Sequence, residues 1–414
     1  MASRTAPITV RDGPSLALVA MVGCAIMLNY IDRGAVSIAA PLIKDEMHLT
    51  ATGYGLVVSS FFWTYVPVLL LAGWLADKIS VHKLMAGGVA VWALATLCTG
   101  LAGGLVALVV MRLAMGIGEG VAFPSASKLM ARAPEARRGI ANISLSGGLA
   151  MGPLVGTLAG GVILQSYGWR TMFIVFGLVT LLWLLPWSRL RSEVDAPPSD
   201  GDASAVPYPR LLTTRSLWAM SIFHFSGTYG LYFIIAWLPL YLVKVRGYDI
   251  TDMTLLTALF YLGQTIGTTL SAGIADRMIA GGRATSTVRR WFGIIGFSVS
   301  AIGIVAIAWT TSTPALMFWL VLTSLWFGSN TGILFTAGQT LAGSASAGRW
   351  VGVQSAVGNL AGIIGPVVTG VIVDRAGYMP AFALTAGIVV LGTTMFVIGV
   401  PRIAPVDWKT GKPG

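Results

Sequence analysis

Four ionisable residues stand inside long apolar stretches of the chain: Asp32 and Arg33 in one, Arg112 and Glu119 in another. A charge held in hydrocarbon costs roughly 2.5–3.5 kcal/mol on insertion scales. Such residues persist where they pair, line water or do chemistry. Pairing alone is a weak reason, because apolar replacements often serve stability as well. The residue types point to anion handling linked to proton exchange. An arginine is permanently charged and can grip both oxygens of a carboxylate. An acid beside it has a proton affinity that depends on burial and on how near that positive charge lies.

Depth follows from counting inward from each helix's outer end at about 1.5 Å per residue, which puts Asp32 and Arg33 roughly 15–17 Å deep, Arg112 roughly 10 Å and Glu119 roughly 21 Å. The first pair is level with the gap between the second two. Arg112 and Glu119, seven apart, return to nearly the same helix face. One layer can therefore hold all four. Consecutive Asp32 and Arg33 diverge by about 100° around their helix, so the expected division has Arg33 facing substrate and Asp32 turned to a neighbouring helix. The same count brings Tyr65, Tyr229, Gln264, Asn330 and Asn359 to this level as substrate-contact candidates. The bland reading for each is an interhelical hydrogen bond, worth about 0.6 kcal/mol on average. Aromatic residues such as Tyr229 and Tyr232 could stack on an aromatic acid; Gln264, Asn330, Gln354 and Asn359 could bond sugar hydroxyls. The substrate class stays open between these.

The elements that carry these residues are transmembrane helices. The 414 residues are 55% hydrophobic and only 10% charged, with a mean hydropathy of +0.79, too little charge to cover a soluble protein of this size. With about 20 apolar residues per crossing, twelve spans are predicted: 16–43, 53–76, 84–102, 105–127, 139–165, 170–187, 216–242, 252–275, 291–310, 314–337, 350–373 and 380–400. The 51 glycines fit a membrane bundle, where small residues let backbones approach closely. The net charge of +11 invites a nucleic-acid reading, but its distribution excludes one. Lys and Arg crowd into alternate connections, and the others hold only Lys44, Arg170, Lys244, Arg246 and Arg375. That asymmetry puts both termini in the cytoplasm. A bacterial inner membrane is the expected location, with no cleaved signal because the first apolar stretch is too long.

Other chemistries find no support. Cys24 and Cys98 both fall within spans and offer no external disulfide. His48, His82 and His224 are widely spaced and no cysteine cluster exists, so neither a metal site nor a cofactor is expected. Ser125-x-x-Lys128 matches a serine–lysine pattern by chance at a helix end. Gly116-x-Gly118-x-Gly120 has no strand before it and is no dinucleotide loop. The chain does not read as an enzyme.

Residues 188–215 break the apolar pattern with Pro197, Pro198, Pro207 and Pro209 and mixed charges. This divides the chain into an N-terminal bundle 1–187, a cytoplasmic linker 188–215, and a C-terminal bundle 216–414 with a short tail. Punctuation recurs in register between the bundles. The second span of one half ends Gly73-Trp74-Leu75-Ala76-Asp77-Lys78 and that of the other ends Gly273-Ile274-Ala275-Asp276-Arg277. The fifth carries Gly152-Pro153 in one half and Gly365-Pro366 in the other. Asp77 and Asp276 are expected to cap helix ends or pair across a cytoplasmic gate.

Gly73-x-Leu75-x-Asp77-Lys78 followed by Lys83, with Gly168-Trp169-Arg170, resembles the major facilitator superfamily, although Ser80 and His82 depart from its loop pattern. The resemblance covers essentially the whole chain. It implies an all-α membrane protein of two pseudo-symmetric six-helix bundles rocking about a midplane site. Asn29-Tyr30-Ile31-Asp32-Arg33, Phe62-Trp63-x-Tyr65 and Arg112-x6-Glu119-x3-Phe123-Pro124 further resemble the anion:cation symporters, carriers of sugar acids and aromatic acids among them. That likeness implies substrate contacts at Arg33, Tyr65 and Asn359, proton-carrying acids at Asp32 and Glu119, and a fourth-span arginine at Arg112, which is counted with the substrate-binding residues. The function expected is proton-coupled symport of a small organic carboxylate by a monomer. A proton-driven exporter, an uncoupled exchanger and a non-transporting sensor are the rivals. Direction of flux discriminates the first two, and the sensor would favour an appended soluble domain.

Overall fold

The computed structural model describes residues 15–130, 135–190, 206–343, 346–408 and 412–413. Most of the expected linker, 191–205, lies outside them, as does the side chain of Asp77. The described helices are α1 (Leu16–Ile38), α2 (Ala40–Glu46), α3 (Ala51–Lys78), α4 (Val81–Thr99), α5 (Leu105–Gly120), α6 (Ala122–Met130), α7 (Glu135–Leu182) and α8 (Leu184–Ser188). α9 (Tyr208–Leu212) falls within the expected linker 188–215, and α10 (Arg215–Lys244), α11 (Ile250–Ala280), α12 (Thr285–Trp309), α13 (Thr313–Ala342), α14 (Ala347–Ala376) and α15 (Tyr378–Gly399) follow. A two-residue strand, Val406–Asp407, pairs antiparallel with Lys412–Pro413 at the C-terminal end.

Ten stretches are long and apolar enough to cross a membrane. One of them, Ile143–Ser188, has 46 residues, far more than one crossing needs. It breaks at Gly168, whose φ of 78° is a left-handed conformation that glycine adopts without strain. It therefore makes two crossings. α11 supplies the twelfth: Thr251, Thr254, Thr257, Thr265, Thr268 and Thr269 dilute its apolar content, yet its 31 residues pack along α13 and α7. The twelve expected crossings are thus present, six on each side of the linker.

Two of them are bent by proline. The first ends as α1 at Ile38 and resumes as α2, with Pro41 at the start of the new helix. The fourth divides into α5 and α6 just before Pro124. A proline inside a helix lacks an N–H and collides with the carbonyl one turn back. Side-chain caps begin other helices: Ser15 accepts from Leu18 N at 3.2 Å, Thr50 from Gly53 N at 3.0 Å, and Asp249 from Asp252 N at 2.8 Å.

The halves meet along two seams, α3 with α14 and α7 with α11. Each seam joins the second crossing of one half to the fifth crossing of the other, as a duplicated unit requires. The fifth crossings also end alike, at Gly168 with φ 78° and Gly377 with φ 79°. On the α3–α14 seam, a Cβ at Gly55 would lie 2.3 Å from the Pro366 carbonyl oxygen. The Gly-Pro pair of α14 is therefore a point of backbone contact between halves.

Bonds between the halves gather toward the face opposite the termini. There Asp374 Oδ1 accepts from Ala51 N at 2.8 Å, and Oδ2 from Thr52 N at 2.8 Å and Thr52 Oγ1 at 2.7 Å. Tyr54 donates to the Ala236 carbonyl at 2.9 Å, Ser59 donates to the Ile363 carbonyl at 2.6 Å, and Lys244 pairs with Asp45. Asp374 thus caps the first turn of a helix in the other half. Removing it with Asp374→Ala is expected to loosen this closure. A cysteine placed at Ser59, in a background lacking Cys24 and Cys98, should then react severalfold faster with an impermeant thiol reagent applied from that face. An unchanged rate would show that Asp374 is not a latch.

Candidate functional site

Arg33 on α1 and Glu119 in the last turn of α5 meet inside the N-terminal half. Nε and Nη2 of Arg33 donate to Glu119 Oε2 at 2.9 and 2.7 Å, and Nη2 reaches Asn29 Oδ1 at 3.3 Å. Glu119 has no side-chain exposure, whereas Arg33 retains 15%. Three rings surround the guanidinium: the centroids of Tyr30, Phe61 and Tyr65 lie 4.9, 4.9 and 4.6 Å from Cζ. The glycines of α5 make this placement possible. Gly116 lies against the Phe61 carbonyl and Thr64, and Gly118 against Gly88 and Trp92, so α5 wedges tightly between α3 and α4.

Asp32 faces elsewhere, as the helical step demands. Its Oδ2 accepts from Trp92 Nε1 at 3.1 Å and Thr180 Oγ1 at 2.9 Å, fastening α1 to α4 and α7. Its Oδ1 has no partner, and the residue is wholly buried. Arg112, two turns from Glu119, is also buried. It donates Nη1 to Met115 Sδ at 3.3 Å and sets Cζ 4.9 Å from the Phe61 centroid. Among the described residues no carboxylate pairs with it, and its Nε is unpartnered. Of the four charges expected to share one layer, Asp32, Arg112 and Glu119 are enclosed by protein and Arg33 retains 15% side-chain exposure.

The site continues into the other half through aromatic contacts. Tyr65 stacks on Phe61 at 5.0 Å and stands edge-on to Phe62 at 6.2 Å. The Phe62 ring meets that of Tyr232, on α10, at 4.8 Å. Tyr232 donates its hydroxyl to Asn359 Oδ1 at 3.4 Å, and Asn359 donates Nδ2 to the Ser355 carbonyl at 2.9 Å. Arg33, Tyr65 and Asn359 are thus linked across the interface.

The remaining candidates are placed differently. Tyr229 lays its ring on Gly365 and packs α10 against α14, 2% exposed. Asn330 is buried against Gly296 of α12, away from any contact with the Arg33 cluster. Gln264 is half-buried on α11, with no side-chain hydrogen bond among the described residues. Depth along a helix located these residues, but depth leaves azimuth open. Gly152-Pro153 has a direct bearing on the site: a Cβ at Gly152 would lie 2.7 Å from both the Met27 carbonyl oxygen and Tyr30 Cβ. α7 consequently lies against the turn of α1 that presents Tyr30 and Arg33. Asp276 is exposed within α11, and among the described residues no hydrogen bond or ion pair of its side chain is seen. Lys128 instead donates to the Ala76 carbonyl at 2.8 Å, which explains the residue without catalysis.

Tyr30 and Phe61 belong to the cluster without having been singled out for it. Tyr30 precedes Arg33 by three residues and Phe61 precedes Tyr65 by four, the spacings that share a helix face. Those two were accessible to a face count; Tyr232 was already named as a stacking candidate, and the fold adds its contacts with Phe62 and Asn359. At the rim of this half, hydrogen bonds from Trp169 and Arg170 hold the Glu46 carboxyl below its ordinary range.

Twelve crossings in two bundles, bonded together mainly at one face, with a charged layer beside their interface, define a membrane transport protein. The profile of the Major Facilitator Superfamily matches residues 22–349 and 251–413, and the chain belongs to that family. A probable sulfoacetate transporter of Cupriavidus necator is 32% identical, covering 93% of this chain and 94% of the relative. A hexuronate transporter of Bacillus subtilis is 28% identical over 89% and 90%. The fold is similar to that of a bacterial homologue of the human lysosomal transporter Spinster, solved inward-facing and occupied, with a TM-score of 0.75. That likeness covers 92% of this chain and 96% of the other at 18% identity.

Proposed function

We propose that this protein imports a small organic anion together with protons across a bacterial inner membrane, both termini lying in the cytoplasm. The observation that carries the reading is the Arg33–Glu119 pair: a cation with residual exposure, held by an acid with none. Protonating Glu119 removes its charge and releases the guanidinium fork to a substrate carboxylate or sulfonate. Tyr65 and Asn359 would then approach the anion from either half, and α3–α14 and α7–α11 would rock about it. Asp32 is the second proton-carrying acid, reached when α1 shifts against Trp92 and Thr180. The relatives that carry sulfoacetate and hexuronate support an anionic substrate, and the concentration of Lys and Arg in alternate connections supports the orientation. With every proposed contact in one chain, the monomer is the working unit.

The test is uptake into proteoliposomes with an alkaline interior. Sulfoacetate, a hexuronate and a benzoate are offered in turn, and at least one is expected to accumulate while the gradient lasts. Collapse of the pH gradient should release it. Accumulation that survives collapse would refute proton coupling, and failure of all three would refute this substrate class.

A further inference from the structure

Resting on that reading of the site, we infer that Phe61 is a positioning residue that decides which arginine holds Glu119. Its ring is fully buried and serves two cations at once, with Arg33 Cζ and Arg112 Cζ each 4.9 Å from the centroid. Among the described residues, Arg33 bonds a carboxylate, whereas the contacts of Arg112 are the Met115 sulfur and this ring. A desolvated guanidinium without an anion is strongly disfavoured, and the negative face of an aromatic ring offsets part of that cost. Glu119 stands two turns from Arg112 on nearly the same helix face, within reach of a long side chain. Phe61 therefore satisfies Arg112 sufficiently that Glu119 remains with Arg33. Tyr65, stacked on Phe61 at 5.0 Å, and Phe62, edge-on at 5.0 Å, fix the ring's attitude. The Phe61 carbonyl against Gly116 fixes its height on α5. Weakening the ring's quadrupole would let Arg112 draw Glu119 away and leave Arg33 free before any proton arrives.

Phenylalanine bearing one, two and three ring fluorines at position 61 tests this, since fluorine depletes the π face with little change of shape. The melting temperature of the purified protein is expected to fall stepwise by several degrees in total. In an Arg112→Met background the fall should shrink by about half, one of two cations having been removed. A flat series, or a slope indifferent to Arg112→Met, overturns the assignment without any substrate being needed. With a bound anion, the trifluoro protein should bind severalfold more tightly than wild type and show a flatter pH profile. An unaltered profile also overturns the inference. Failure of wild-type protein to bind any anion would instead sink the transport reading, and the melting series would still decide the role of Phe61.

Discussion

Arg33→Ala is expected to abolish anion binding, with the dissociation constant rising by at least about a hundredfold. The magnitude follows from the bonds lost: hydrogen bonds to charged groups contribute about 1.5–3 kcal/mol each, and a guanidinium gripping an anion makes two. Arg33 is the charged residue of the central layer whose side chain retains exposure, 15% against none for Glu119. The substitution also strands Glu119 in the interior, where breaking a buried pair typically costs about 3–5 kcal/mol. Lower thermal stability should accompany the loss of binding. Arg33→Lys separates the two effects. It retains a positive charge for Glu119 and should recover most of the stability, but it lacks the planar fork and should recover little of the affinity. Isothermal titration alongside melting curves reads both quantities. An isotherm unchanged in Arg33→Ala would reassign the residue to structure.

The number of crossings was legible because hydrocarbon imposes a length and a composition that few other environments require. Even α11, rich in threonine, was among the twelve predicted spans, at 252–275. The bends at Pro41 and Pro124 were less visible, since each leaves the apolar run unbroken while dividing the helix. The duplication was legible in Gly152-Pro153 and Gly365-Pro366, whose neighbours proved to be α1 in one case and α3 with α10 in the other. That difference matters to the site, because one pair positions the helix carrying Arg33 and the other closes the seam.

Within the site, the axial coordinate of each charge could be read by counting, and its direction only in part. The step of about 100° between Asp32 and Arg33 gives them different neighbours, Trp92 and Thr180 for Asp32 and Glu119 for Arg33. No such neighbour constrained Asn330, and α12 could supply a glycine groove for it as readily as the interior could supply a ligand. Arg112 was misleading for a related reason. Its seven-residue spacing put it on nearly the same face as Glu119, but Glu119 pairs with Arg33 on another helix, and the aromatic ring beside Arg112 comes from α3. Partner choice among several candidates depends on distances between helices, which no single helix encodes.

The second large effect concerns coupling. Glu119→Gln keeps an acceptor oxygen for Arg33 and nearly the same shape, so the packing of α5 against α1 and α3 should persist. What disappears is a charge that a proton can neutralise. In wild type, acidification neutralises Glu119, frees Arg33, and should tighten anion binding as pH falls. The glutamine protein has no such step at this position, and its affinity should be high and nearly independent of pH. With no proton to carry there, accumulation against a gradient should collapse toward the equilibrium ratio. Exchange of labelled for unlabelled anion across the vesicle membrane should continue, because rocking of the loaded bundles needs no net proton movement. Accumulation at the wild-type level would remove Glu119 from the coupling mechanism. Loss of exchange together with accumulation would mean that the carboxylate is needed for movement itself, and that the Arg33–Glu119 bond must re-form before the empty carrier can return.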